Sequence, residues 1–250
     1  MFIYLCNDYM VTDSKWSRVE IFNMKWTVLE NADVVASTAC DRIVQASKLA
    51  IASRGEFHLV LAGGNTPAKT YSLLADSSCD WEHWHIWFGD ERCLPSEHPD
   101  RNSVMAERTL LSKVDIPASQ IHVIAAESGP EKAAKRYAVL IDSVLPFDMV
   151  LLGMGADGHT ASLFPGHPNP PGGNVLPIMD APKFPAQRVS LSAEVLGQCR
   201  QLVFIITGQD KADAVSRWQQ GERLPVGLIN SIGHSEVIID SEAFPASHKK

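Results

Sequence analysis

The chain has 250 residues, 45% apolar and 20% charged, with a formal net charge of −7. That balance suits one soluble globular domain able to bury most of its surface, and the acidic excess counts against a nucleic-acid-binding face. No apolar run is long enough to span a membrane, and the N-terminal MFIYLC is too short for a secretory h-region and has no basic residue before it. The cysteines, Cys6, Cys40, Cys79, Cys93 and Cys199, are odd in number and widely spaced, with no C-x-x-C, which fits reduced thiols in a cytoplasmic protein.

Residues 1–25 show neither helical period nor continuing strand alternation, and Met24-Lys25-Trp26 looks like a second start. An extension over 1–25 and a single domain over 26–250 are therefore expected. From Ala32 to Ser53, Val35, Ala39, Ile43, Ala46 and Ala50 form the stripe of an amphipathic helix that ends near Arg54-Gly55. Phe57 to Ala62 reads as a buried strand, followed by Gly63-Gly64-Asn65-Thr66-Pro67 and a helix over Ala68 to Leu74, with Asn65 or Thr66 as cap and Pro67 at its first position. Strand, paired glycines and helix start make a nest of backbone N–H groups suited to a phosphate, although the spacing is not that of a Walker loop. Trp84 to Phe88 is a further strand carrying Gly89-Asp90-Glu91-Arg92 at its carboxyl end, and Asn102 or Ser103 would cap a helix through Leu111. His83-Trp84-His85 has the H-x-H spacing that puts two rings on one strand face. No third ligand stands at a suggestive distance, so strand packing is expected there rather than a metal.

Gln120 to Ile124 is strand-like and Glu131 to Leu145 helical. The segment Pro146 to Gly166, PFDMVLLGMGADGHTASLFPG, organises the rest: a doubly buried strand stops at Gly153, and Gly155 and Gly158 follow at once with Asp157 and His159 between and beyond them. Gly153 to Gly158 fits G-x-G-x-x-G. No long helix follows, however, and Asp180, about twenty positions on, lies in a proline-rich loop, so a dinucleotide site is disfavoured. Seven prolines between Pro165 and Gln187 argue against regular structure there and for a lid or substrate wall. Arg188 to Leu191 and Gln201 to Ile206 return to strand. The latter ends in Thr207-Gly208-Gln209-Asp210-Lys211 and a helix to Trp218, and Val237 to Ile239 closes the fold. The alternation implies an α/β fold with a mostly parallel sheet and helices on both faces.

Four segments thus stand at strand ends: GGNTP, GDER followed by Asn102, GMGADGHTASLFPG and TGQDK, with APKFPAQRVSL between the last two. Their order and spacing, from about Trp26 to Ile239, resemble the 6-phosphogluconolactonases, a family that shares its fold with glucosamine-6-phosphate deaminases. The resemblance implies an open three-layer α/β/α sandwich with a Rossmann-like sheet. It also implies hydrolysis of 6-phosphoglucono-δ-lactone in the pentose phosphate pathway with no required metal or cofactor; the partner is then a small sugar phosphate, not nucleic acid or membrane. Carried over residue by residue, the phosphate loop becomes Gly63, Gly64, Asn65 and Thr66, the charged strand-end pair Asp90 and Arg92, and the histidine base His159 with Asp157 beside it. The basic residues facing the sugar phosphate become Arg188 and Lys211.

These residue types fit the chemistry. His159 can take a proton from water and return it to the leaving ring oxygen, Asp157 can fix its tautomer, and Arg92 or loop N–H groups can hold the oxyanion. The deaminases carry a glutamate where this chain has Phe164, which leaves the isomerising reaction without a working part. A catalytically silent sugar-phosphate sensor is the other alternative, and the presence of a base argues against it. Three departures from the family's usual pattern bear on affinity: Ala62 in place of a serine, Gly227 after Pro225-Val226 in place of a basic residue, and Ile239-Asp240-Ser241 in place of aromatic residues.

Overall fold

The computed structural model describes residues 24–167 and 173–245. Residues 1–23 of the expected extension, MFIYLC among them, lie outside the described residues, as do 168–172 of the proline-rich loop. In chain order the elements are β1 (Lys25–Leu29), α1 (Ala32–Arg54), β2 (Phe57–Leu61), α2 (Asn65–Ala75), β3 (Trp84–Phe88), β4 (Asp90–Arg92), α3 (Asn102–Thr109), α4 (Pro130–Ile141), β5 (Phe147–Leu152), β6 (Val175–Ile178), β7 (Arg188–Leu191), α5 (Ala193–Gly197), β8 (Cys199–Ile206), α6 (Ala212–Gln219) and β9 (His234–Asp240).

Six strands form one parallel sheet in the order β1-β9-β8-β5-β2-β3, flanked by helices as the α/β/α expectation requires. The central strands β2 and β5 are buried along their whole length, which explains their unbroken apolar sequences. Helix α1 packs across β9, β8, β5 and β2 and against α2. It starts where Asn31 Oδ1 accepts the N–H groups of Asp33 and Val34, at 3.0 and 3.1 Å, and ends where Gly55 takes φ 85°. Strands β4, β7 and β6 form a second, antiparallel sheet.

Two tyrosines fix the ends of neighbouring strands. Tyr71 Oη of α2 accepts Ala62 N at 2.9 Å and donates to Ala62 O at 3.0 Å. Tyr137 Oη of α4 does the same for Phe88, at 2.9 and 3.3 Å. Each satisfies a backbone pair where the ladder stops, in the apolar interior, and burial pushes both phenols up from their usual range.

Several local expectations are corrected. Strand β1, unread in the sequence, lies on the sheet edge beside β9 and is only partly buried. The proline-rich stretch does contain regular structure: β6 includes Pro177 and is tolerated because it is the edge strand of the small sheet, where a missing N–H is no loss. Gln120 to Ile124 makes only a single bridge, Ile121 to Ile86, and α4 stops at Ile141 rather than Leu145. Short α5, capped by Ser192, was also unread. Helix α2 begins at Asn65 with Gly64, at φ 114°, as its N-cap, so Asn65 and Thr66 are helical and Pro67 is the third helical residue. His83 ends a 3-10 turn, Trp81–His83, and does not share a strand face with His85, which stacks on His58.

Neither Asn102 nor Ser103 caps α3 with its side chain. The cap is Glu91, whose Oε1 accepts Asn102 N at 2.8 Å and whose Oε2 accepts Ser103 N at 2.9 Å. Glu91 is 1% exposed and pairs with Arg101, itself 2% exposed, at 3.4 Å. Removing Glu91 would strip two helix N–H groups of their acceptor and leave the buried Arg101 with Glu127, at 2.8 Å, as its remaining carboxylate partner. Glu91→Ala should therefore cost about 3–5 kcal/mol in urea unfolding, and Glu91→Gln, which keeps shape and acceptor, should cost less.

Candidate active site

Because β8, β5 and β2 are parallel neighbours, their carboxyl ends place TGQDK, GMGADGH and GGNTP side by side, with the end of β3 next in line. An open α/β sheet binds its ligands at this edge. Contacts tie the loops to one another. Thr66 Oγ1 and Thr207 Oγ1 are hydrogen-bonded at 2.6 Å, joining the first loop to the last. The N–H groups of the first turn of α2 carry no side-chain cap, so they are available to an anion. Gly208, at φ 93°, donates its N–H to both carboxylate oxygens of Asp240, at 3.1 and 3.0 Å, which fixes the start of TGQDK. Lys211 ends the 3-10 turn that follows, and its Nζ lies 2.6 Å from Asp210 Oδ2.

The segment after β5 forms a compact turn. Gly155 N donates to His159 O at 2.8 Å, Gly158 N to Gly155 O at 2.9 Å, and Thr160 Oγ1 to Gly153 O at 2.7 Å. Inside it His159 Nδ1 makes a short hydrogen bond with Asp157 Oδ1. A Cβ on Gly155 would run into both side chains, so glycine there leaves room for the pair. Burial pushes the His159 imidazole down from its usual pKa; Asp157 and, farther off, Asp90 oppose that shift, and Lys183 adds to it. For Asp157, burial acts upward, but the bond to His159 and the charges of His159 and Lys183 outweigh it and hold the carboxyl at about 2. An ionised Asp157 accepts from Nδ1–H, and Nε2 keeps its lone pair. The Phe164 ring packs 4.8 Å from the imidazole, centroid to centroid.

Asp90 is tied to this turn but not to the histidine itself. It is buried; its Oδ2 accepts Ser162 Oγ at 2.6 Å and its Oδ1 accepts Asn102 Nδ2 at 2.9 Å. The Asn102 amide in turn lies where a Cβ on Gly63 would stand, so Gly63, Asp90 and Ser162 are locked together. Arg92 donates Nη1 to the carbonyl of Asp100, and its buried Nε has no partner among the described residues. Arg92 stands opposite Arg188 in the small sheet.

Arg188, expected to face the phosphate, is 4% exposed and turns its Nε and Nη2 toward its own loop. Nε donates to Pro185 O at 3.0 Å, and Nη2 to the carbonyls of Lys183 and Phe184 at 3.1 and 3.0 Å. That clamp holds a residue the sequence reading passed over. Lys183 Nζ lies 3.4 Å from Asp157 Oδ2 and 3.3 Å from His159 Nδ1. Its signal was present, a lysine set between prolines in the loop expected to wall the site.

Groups able to offer three metal ligands among the described residues are Glu56, His58 and His85, and Asp80, Glu82 and His83. The first lies at the amino ends of β2 and β3, away from the loops above. There Trp87 Nε1 donates to His58 Nδ1 at 3.1 Å, so His58 carries its proton on Nε2 and gives it to Glu56 Oε1 at 3.0 Å. A cation on that nitrogen would have to break both bonds.

The sequence pattern described as glucosamine-6-phosphate isomerases/6-phosphogluconolactonase matches residues 30–239. The chain belongs to this family. It is 36% identical to a 6-phosphogluconolactonase of Synechocystis over 239 residues, covering 90% of this chain and 96% of the relative. With a 6-phosphogluconolactonase of Haemophilus influenzae it shares 34% identity over 199 residues, 76% of this chain and 86% of the relative. The crystal structure of 6-phosphogluconolactonase from Thermotoga maritima superposes with a TM-score of 0.81 at 25% identity, covering 86% of this chain and 99% of that one. A monomeric glucosamine-6-phosphate deaminase, at TM-score 0.76 and 22% identity over 88% of this chain and 98% of its own, shares the fold.

Gly155→Ala tests the turn. Its Cβ should displace His159 or Asp157 without unfolding the chain, and displacement on the 1 Å scale typically costs about 10²-fold in rate. Turnover should therefore fall steeply while the urea midpoint stays close to that of the wild type.

Proposed function

We propose that the protein hydrolyses 6-phosphoglucono-1,5-lactone to 6-phosphogluconate, as its relatives' names state of them, with His159 as general base. One observation carries the reading: a partly buried imidazole whose Nδ1 is hydrogen-bonded to the Asp157 carboxylate, at the carboxyl edge of the sheet beside an uncapped helix start. In this mechanism the phosphate sits at the N-terminus of α2, against Gly63, Gly64, Asn65 and Thr66, with Lys211 contributing charge. Water attacks the lactone carbonyl carbon and gives its proton to His159 Nε2. The C–O bond to the ring oxygen then breaks, and His159 returns the proton to that oxygen, leaving a carboxylic acid that ionises in solution. The oxyanion of the tetrahedral intermediate is held by Arg92 or loop N–H groups. Asp157 orients the imidazole and stabilises its transient positive charge.

Asp90 enters as the group that positions the turn, through Ser162, and Arg188 as the group that shapes the loop over it. The structure gives the deaminase alternative no proton carrier at position 164: Phe164 is 4% exposed and packed against His159. A silent sensor would not require an imidazole oriented by a carboxylate. We assign the reaction to the cytoplasm, where the free thiols of Cys40, Cys79, Cys93 and Cys199 are at home. No helix among the described residues is long and apolar enough to cross a membrane.

Lactone-opening kinetics on freshly generated substrate, corrected for spontaneous hydrolysis, test the reading; a wild-type rate no faster than the spontaneous one would refute it. His159→Ala should lower kcat by roughly 10²–10⁴, the usual range for losing a positioned base, with the fold intact. The wild-type kcat/KM should fall as the pH drops through the His159 pKa, because imidazolium accepts no proton. Since burial lowers that pKa, the fall should begin below the ordinary histidine value near 6.5. Lys211→Ala should instead raise KM, consistent with losing a charged contact worth about 1.5–3 kcal/mol, and leave most of kcat.

A further inference from the structure

We propose that Lys183 is a positioning residue of this reaction: its ammonium group, held over the site by the Arg188 clamp, steadies Asp157 and sets a positive charge beside His159 Nδ1. The inference rests on the lactonase reading for its place in catalysis, but its physical basis is the arrangement of four side chains. The Nδ1 proton of His159 goes to Asp157 Oδ1, so the ammonium protons of Lys183, 3.3 Å from that nitrogen, cannot be accepted there. They are directed to the carboxylate, at 3.4 Å to Oδ2 and 3.5 Å to Oδ1. Asp157 therefore serves two donors from opposite partners, which restrains its rotation about the Cβ–Cγ bond.

The charge balance follows from the same geometry. Asp157 alone beside His159 would favour imidazolium, the form that cannot act as a base. A fixed positive charge 3.3 Å away opposes a second one on the ring. The other groups around the imidazole are Asp90, which favours the charged form from farther off, the Phe164 ring, and the Gly155 backbone, neither of which titrates.

Lys183 can do this only if its loop is fixed, and Arg188 fixes it. Three consecutive carbonyls, those of Lys183, Phe184 and Pro185, accept from one buried guanidinium, whose Cζ also lies 5.5 Å from the centre of the Phe164 ring. Arg188 thus ties the loop to the ring that backs His159. Its sequence neighbourhood, a strand residue five positions after the lysine, places the clamp and the clamped group on the same short segment.

The test is Lys183→Met, which keeps much of the side-chain length and removes the charge, with Lys183→Arg as the conservative partner. Imidazole titration of His159 is followed by NMR in the free protein, and the acid limb of kcat/KM is measured on 6-phosphogluconolactone. Lys183→Met should raise the His159 midpoint and the acid limb together by about one pH unit, a partly screened charge effect. It should also lower kcat several-fold near pH 6, with KM within about twofold of wild type. Lys183→Arg should restore both pH values. Unmoved titration in Lys183→Met, or a large rise in KM with an unmoved acid limb, would overturn the proposal and make Lys183 a substrate contact or a surface residue. The NMR titration needs no substrate. A wild-type protein inactive on the lactone but with a shifted His159 in Lys183→Met would therefore sink the lactonase reading while leaving the lysine's hold on the histidine in place.

Discussion

A buried carboxylate must find donors on every side, and in this protein that requirement shapes the site. Asp90 leaves the main sheet at the end of β3 and turns into the small sheet as the first residue of β4. Its two oxygens are satisfied by Asn102 from α3 and Ser162 from the turn after β5. Asn102 also fills the space beside Gly63. One side chain thus couples the GGNTP loop, the histidine turn and the helix that Glu91 caps. Leaving any of its bonds unmade would bury an unpaired charge or donor at a cost of several kcal/mol, so the three segments hold their positions together.

The parallel sheet supplies the rest. Each central strand ends in a loop at the same edge, and each loop is tied down by a different device: Tyr71 at the end of β2, Tyr137 at the end of β3, and Asp240 at the loop after β8. Among the fixed loops stands a local unit of two residues in one turn, Asp157 and His159, whose bond needs the space that Gly155 leaves. In this acidic protein, positive potential is placed locally at this edge, at the start of α2 and at single lysines.

A deaminase at 22% identity shares this fold, and a fold by itself does not fix a reaction. The group that stands beside His159 is a local choice of the sequence. Here that neighbour is an aromatic ring, packed between the imidazole and a buried guanidinium. Such a ring supports the orientation of the imidazole but carries no proton.

The sequence by itself determined the central architecture and brought Asp157 and His159 into one turn. Five of the six main-sheet strands were legible because burial on both faces leaves apolar runs bounded by glycine, and the DGH turn was legible because its glycines and its histidine are contiguous. It could not determine which side chain would answer which. Asn102 read as a helix cap because local sequence favours that role; Asp90, distant in sequence, claims it instead. The family resemblance implied Arg188 as a phosphate ligand, and the folded chain sets three carbonyls of its own loop in front of it. Lys183 was passed over in a proline-rich segment that shows no period, and only the folding of that segment over β5's turn brings its ammonium group to Asp157. Strand β6, with Pro177 in it, likewise depends on being an edge. Hydrophobic pattern is a local property and survives in the sequence, whereas the pairing of polar groups is settled by distances that only the packed chain defines.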